Sequence, residues 1–393
     1  MAGYSLTWNS FGSMQNMLLD VLGNDDAGYI SGTTSRIDYG TNPMRETYTQ
    51  FFGFQLDYEA LTGVVTDIDI YWPNVGSTGL IVDELPDIPL ADLFALSDGA
   101  ASRDALDRLL AQADWTIYGS AIGDDFEGIY SEETINGSGG SDYYTATMAP
   151  GLARAINDSF DGGEDDDTVN LLDLTVGVKA NLKSGMISFS EMVNGVSYDR
   201  SISLTSVEEI IATNHDDKLL GSNAGDNLSG GKGADVIKGR GGSDTLSGDA
   251  GGDRLIGGGG WDTLYGGGGG DVLKGGGGQD TIEGQGGKDR LAGGGGSDVL
   301  DGGGKADRLE GGKGNDMLTG GKGRDSFVFD TGSGWQGRDI ITDYELGKDE
   351  IMFDAANVAV EVSHRDGDTV IEFDNGVIRL EDVLWPEVGF LTF

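Results

Sequence analysis

Thirteen aspartates stand in a row at a fixed period of nine: Asp217, Asp226, Asp235, Asp244, Asp253, Asp262, Asp271, Asp280, Asp289, Asp298, Asp307, Asp316 and Asp325. The 393-residue chain has no Cys and only two His, His215 and His364, so carboxylates and hydroxyls are what remain for chemistry. That removes disulfides, thiol nucleophiles and Cys-ligated zinc or iron–sulfur clusters, and leaves almost no material for a His-based relay. Two residues after each Asp comes an apolar side chain, from Leu219 through Ile237, Leu255 and Leu309 to Phe327. Four residues after each of the first twelve comes a Gly, from Gly221 to Gly320. The clearest copies read GGKGADVIK from Gly230, GGGGWDTLY from Gly257 and GGKGNDMLT from Gly311.

A nine-residue unit is too short for a helix with its connections, but it fits a three-residue strand with one inward apolar residue followed by a six-residue turn. The chain then winds as a parallel β-helix. Turns repeated so tightly need positive φ, which Gly supplies without a Cβ clash, and they aim backbone carbonyls inward. Carbonyl and carboxylate oxygens from stacked turns make a hard, anionic cage, suited to Ca²⁺ rather than to the octahedral demands of Mg²⁺. The alternative for a Gly-rich tract is a flexible linker, and thirteen units in strict register argue against it. Without a cation, stacked carboxylates repel, and one apolar residue per repeat buries too little surface to order so many glycines. Calcium-coupled folding is the expectation.

These residues closely resemble the RTX, or haemolysin-type calcium-binding, repeat, whose consensus is GGxGxDxUx, over about Gly221 to Phe329. The resemblance implies an all-β fold, a parallel β-roll with two repeats per turn. It also implies multiple Ca²⁺ ions, each held by carbonyls and the Asp of a GGxGxD turn. Carried onto this chain, the implied ligand positions are the thirteen Asp together with Gly230, Gly231, Gly233, Gly257, Gly258, Gly260, Gly311, Gly312 and Gly314. Departures are His215, Ala224 and Lys305 two before an Asp, and Arg240, Asp249 and Gln285 at the second Gly. Weaker sites are expected there.

The register reappears upstream, where Asp142 follows GSGGS with Tyr144 in the apolar slot, and Asp124 with Phe126 lies two repeats earlier. Asp142 joins the candidate ligands. The organisation expected is an N-terminal β-rich module over 1–113 with a short helix at Ser102 to Ala113, degenerate repeats over 114–170, a β spacer over 171–210, the roll over 211–329, and a C-terminal β cap over 330–393. Strands are expected in the cap at Ser326 to Phe329, Glu350 to Phe353, Thr369 to Phe373 and Val377 to Leu380. This stretch, with its apolar end Phe390 to Phe393, also resembles the C-terminal region that follows RTX repeats in type I secreted proteins.

Sixty-seven acidic residues against 25 basic ones give a net charge of −42, which disfavours nucleic acid and anionic membrane as partners. No cleaved signal peptide or transmembrane run is read near Met1 to Gln15, so the expectation is an extracellular protein delivered by the type I secretion machinery. The chain holds no HExxH, no GxSxG and no GxxxxGK[ST]. The leading reading is a non-enzymatic, secreted calcium-binding scaffold or adhesion protein with a cell-surface or polysaccharide partner. The alternative is a small polysaccharide-acting enzyme in the first 130 residues, built on acids such as Asp57, Glu59, Asp67 and Asp69. Asp67 and Asp69 alternate with Ile68 and Ile70 as a solvated strand face would.

Overall fold

The computed structural model describes residues 34–38, 53–59, 64–71, 81–82, 88–89, 115–118, 123–127, 133–146, 157–332, 336–355, 358–384 and 389–392. They are all-β, with one three-residue 3-10 turn at Leu182–Ser184. The helix expected over Ser102 to Ala113 lies outside the described residues. Two compact units are present, Met1–Leu174 with Gly185–Val207, and Thr175–Ser184 with Glu208–Phe393. The stretch expected as a spacer, 171–210, is thus divided between them.

In the first unit Thr34–Asp38, Gly53–Glu59 and Val64–Tyr71 form an antiparallel meander, which sets the backbone of Asp57 opposite that of Asp67. From Trp115 onward the unit changes to parallel pairing. Trp115–Tyr118 pairs with Glu133–Asn136 eighteen residues on, and Asp125–Glu127 pairs with Tyr143–Thr145 at the same step. The next turn, Asn157–Asp161 and Thr168–Asn170, comes after a step of 25. Val196–Thr205 adds to the Asn157–Asp161 strand and doubles back on Met186–Val193 as a hairpin. Tyr144 and Phe160, both buried, stack at 5.3 Å between ring centroids.

In the second unit the nine-residue repeat becomes half a turn. Strands at Lys218–Leu220, Val236–Gly241, Arg254–Gly259, Val272–Gly277, Arg290–Gly295 and Arg308–Lys313 pair in parallel with partners eighteen residues apart. The intervening repeats, from Asn227–Ser229 to Met317–Thr319, make the second sheet at the same step. Every strand points one residue inward, so Leu219, Ile237, Leu255, Leu273, Leu291, Leu309 and Phe327 stack as one ladder. Leu228, Leu246, Leu264, Ile282, Leu300 and Leu318 form the other. None of these thirteen side chains is more than 2% exposed. The core is a single file of apolar side chains from each sheet.

The roll ends in antiparallel structure. Ser326–Phe329 receives Glu350–Phe353 in parallel, and Gly337–Ile341 pairs with Gly376–Leu380, which leads back through Asp368–Phe373 to Ala359–Arg365 and Gly389–Thr392. Phe329, Phe353 and Phe373 meet edge to face or tilted, with centroids 5.3–6.5 Å apart. The apolar C-terminal end is therefore a paired strand.

The second position of the loop, four residues before each Asp, has positive φ in every repeat from Gly231 to Gly321, including the departures Arg240 (86°), Asp249 (64°) and Gln285 (64°). The loop geometry overrides the residue type, and each non-Gly residue there carries about 1 kcal/mol of left-handed strain. Gln285→Gly is expected to raise stability in saturating calcium by roughly 0.5–1 kcal/mol, the relief exceeding the added freedom of the unfolded chain. Gly294→Ala, at φ 112° with its Cβ driven into the Gly276 carbonyl, is expected to lower it by more than about 2 kcal/mol. Calcium-loaded thermal melts check both signs.

Candidate metal centre

Each loop places its Asp at the start of a strand with the carboxylate turned inward, although the chain around it is backbone and glycine. Oδ1 of Asp235 accepts the backbone N–H of Asp217 at 2.7 Å, and the pattern repeats every eighteen residues along both edges at 2.8–2.9 Å up to Asp325 and Asp316. Each carboxylate so ties its own turn to the preceding one.

The second oxygen has no such partner. Oδ2 of Asp235, Asp244, Asp253, Asp262, Asp271, Asp280, Asp289, Asp298, Asp307, Asp316 and Asp325 is buried without a hydrogen bond, and so is Oδ2 of Asp142. Each points to a spot beside the first Gly of its loop, where a side chain would not fit. A Cβ added at Gly248 would lie 2.6 Å from Asp253 Oδ2 and 2.7 Å from the Gly266 carbonyl oxygen of the next turn. At Gly284 the distances are 2.8 Å to Asp289 Oδ2 and 2.7 Å to the Gly302 oxygen. The Gly230, Gly257 and Gly311 positions face Asp235, Asp262 and Asp316 in the same manner. Gly231, Gly233, Gly258, Gly260, Gly312 and Gly314, all at positive φ, complete these loops.

An unpaired carboxylate oxygen set close to a carbonyl oxygen of the neighbouring turn is a donor pair that suits a hard cation. Among the described residues no three His, Asp or Glu side chains converge. An ion there would be held by no more than two carboxylates, with backbone carbonyls supplying the remaining oxygens. That donor set is oxygen-only and suits Ca²⁺, whose flexible coordination takes many carbonyls, better than Mg²⁺.

Two of the thirteen predicted ligands differ. Asp217 Oδ2 accepts from the Thr213 N–H at 2.8 Å and from the Thr213 hydroxyl at 2.9 Å, while Oδ1 accepts the Val178 N–H. Asp226 Oδ2 accepts the Ser222 N–H at 2.6 Å, and its Oδ1 lies 3.1 Å from the Ser222 hydroxyl. Thr213 and Ser222 occupy the second-Gly position without positive φ, so the protein itself closes these two loops.

The carboxylate column also extends beyond the nine-residue period. Asp167 Oδ1 accepts the Asp142 N–H at 2.7 Å, and the Asp167 side chain is fully buried. Asp339 accepts from Asp316 and Asp349 from Asp325, at steps of 23 and 24 residues. Asp349 Oδ2 then takes the Glu345 N–H, which ends that edge. Asp167 ends the acidic run Glu164 to Asp167, whose DGGEDDDTV frame reads as a further repeat copy, while Asp339, inside the strand Gly337–Ile341, and Asp349, just before Glu350–Phe353, were missed because insertions break the period.

Burial pushes Asp235, Asp307 and Asp339 up to about 7, with neighbouring carboxylates adding to the shift and the N–H bond opposing it. Asp142, Asp244, Asp253, Asp280, Asp289, Asp298 and Asp316 rise to about 6, burial again being the largest cause.

A family model for the RTX calcium-binding nonapeptide repeat matches residues 220–255, 239–273, 256–291, 265–300, 292–327 and 301–341. The array belongs to the RTX calcium-binding repeat family. Its repeats bind multiple Ca²⁺ ions, and the unpaired Oδ2 atoms with the carbonyls facing them are the oxygens that would hold the metal. No curated protein matches the chain. Among solved structures, the extracellular lipase LipA from Serratia marcescens aligns at 14% identity over 70% of this chain and 39% of the lipase, with a TM-score of 0.19. So slight a likeness carries no argument about activity.

Asp271→Asn is expected to lower the number of bound calcium ions, while Asp217→Asn leaves it unchanged; native mass spectrometry of calcium-loaded protein distinguishes them. In calcium-free solution the raised carboxyls bind protons more tightly folded than unfolded, where the reference is about 3.9. Their contribution is therefore fully present below about pH 4 and lost as pH rises through about 6 to 7. More β signal at pH 5 than at pH 8 without calcium is the expected outcome, and the reverse order contradicts it.

Proposed function

We propose that this RTX chain is a secreted, non-enzymatic scaffold whose roll folds on meeting extracellular calcium. The observation that carries the reading is the uninterrupted run of buried, unpaired Oδ2 atoms from Asp235 to Asp325. Leaving eleven ionised oxygens dry and unpaired is too costly for a metal-free roll at neutral pH. Sites of modest affinity stay empty at cytosolic calcium and fill at the millimolar level outside, so binding free energy becomes folding free energy. An unfolded passenger suits a narrow export channel, in keeping with type I secretion. The scaffold reading, rather than an enzymatic one, is supported by the absence from the sequence of the zinc-protease, hydrolase and P-loop motifs.

A calcium titration followed by far-UV circular dichroism tests it. A cooperative gain of β signal at roughly 0.1–1 mM calcium, and none with magnesium, is expected. A roll equally folded in chelator, or equally responsive to magnesium, overturns the reading.

A further inference from the structure

The two sheets of the roll differ in charge on their outer faces. The outward positions flank the buried apolar residue of each strand. On the sheet that begins with Lys179–Asn181 they carry Lys179, Lys218, Lys238, Arg254, Lys274, Arg290 and Arg308, against the single acid Glu310 before Ser326. On the opposite sheet, from Glu209 to Thr319, they carry Glu209, Glu283 and Asp301 and no base.

The basic residues are ordered as well as numerous. Lys218 is followed by Leu220, Val236 by Lys238, Arg254 by Ile256 and Val272 by Lys274, so cation and aliphatic alternate across adjacent strands. Lys238, Arg254 and Lys274 thus face an aliphatic side chain on both neighbouring strands, which removes direct cross-strand repulsion there, whereas Lys218 stands opposite Lys179 and Arg290 opposite Arg308 at the two ends of the stripe. Lys218, Lys238, Arg254, Lys274 and Arg290 are exposed, and none of them joins an ion pair among the described residues. The stripe is two side chains wide, about 7 Å, and seven strands long, about 29 Å.

We infer that this stripe is a docking track for one chain of an acidic polysaccharide, with carboxylate or sulfate groups meeting the staggered cations and the half-buried aliphatics lying under the sugar rings. Its narrowness fits a linear polymer. A membrane is a poorer match, because the aliphatics between the cations are half-buried and no aromatic stands on this face to insert. Single-stranded nucleic acid is a poorer match for the same lack of stacking aromatics. The charge of the rest of the chain does not forbid contact, since fields are screened beyond about 8 Å at physiological salt.

The inference rests on the calcium-folded roll, and circular dichroism in calcium reports that part separately. The test measures binding of the full chain in saturating calcium to dextran sulfate, with neutral dextran as control. The triple variant Lys238→Glu, Arg254→Glu, Lys274→Glu is expected to bind at least about 10-fold more weakly, and a variant off the stripe, Lys232→Glu, Lys313→Glu, Lys322→Glu, of equal charge change, to lose less than about 3-fold. Equal losses, no binding by the unaltered protein, or tighter binding to phosphatidylglycerol vesicles or to single-stranded DNA would overturn it. If the stripe variant loses its calcium-induced β signal, the unaltered protein decides: dextran sulfate should shield Lys238 and Lys274 from acetylation more than Lys232 and Lys322, and even shielding refutes the track.

Discussion

The second carboxylate oxygen is the constraint on which the roll depends. Oδ1 of each Asp is committed to the N–H of the preceding turn, and that bond fixes the rotamer so that Oδ2 must face inward. Inward there is only glycine and carbonyl oxygen. A buried anion with no partner is among the most destabilising groups a protein can hold, and a cation is the one species that satisfies carboxylate and carbonyls together. The same residue therefore stitches consecutive turns and makes their stacking conditional on metal. The apolar file inside, one side chain per strand, is too thin to impose the fold alone.

The period and the core were legible because both are written in single residues at a fixed step. Asp at nine and an apolar residue two further on leave no freedom in register, and the observed pairing at eighteen follows from two repeats per turn. What was not legible lies where the step changes. Asp339 and Asp349 do the same hydrogen bonding as their periodic relatives, but inserted loops lengthen the turn to 23 and 24 residues and hide them from a periodic search, whereas Asp167, after a step of 25, is still marked by its DGGEDDDTV frame. Thr213 and Ser222 were hidden differently. Their hydroxyls and backbone N–H groups satisfy Asp217 and Asp226 from within the loop, and only the residue type at the second-Gly position could have signalled it, since β-branched Thr does not adopt left-handed φ. In the cap, Gly337–Ile341 escaped notice because its leading residues are polar, while its role is to receive Met317–Thr319 at the end of a sheet.

Within the roll, the closed carboxylates are placed at the limits of the open ones. Asp217 and Asp226 precede them and Asp349 follows, each with its oxygens held by backbone or hydroxyl donors. The first turn of the roll is thus complete without an ion and presents ready-made N–H groups and strands to the next. At the other end the antiparallel cap and its Phe329, Phe353 and Phe373 cluster cover the final file of apolar residues, where an open parallel turn would invite end-to-end pairing.

The distribution of lysine and arginine has an electrophoretic consequence. Residues 211–325 hold thirteen of the chain's 25 basic residues and eighteen of its 67 acidic ones, so the segment is only five charges negative before it takes up metal. Each bound ion adds two positive charges, and three ions carry the segment past its isoelectric balance while the flanking regions stay strongly anionic. Calcium concentration thereby sets the sign of the middle of the molecule, and an acidic polymer becomes a charge-segregated block ampholyte.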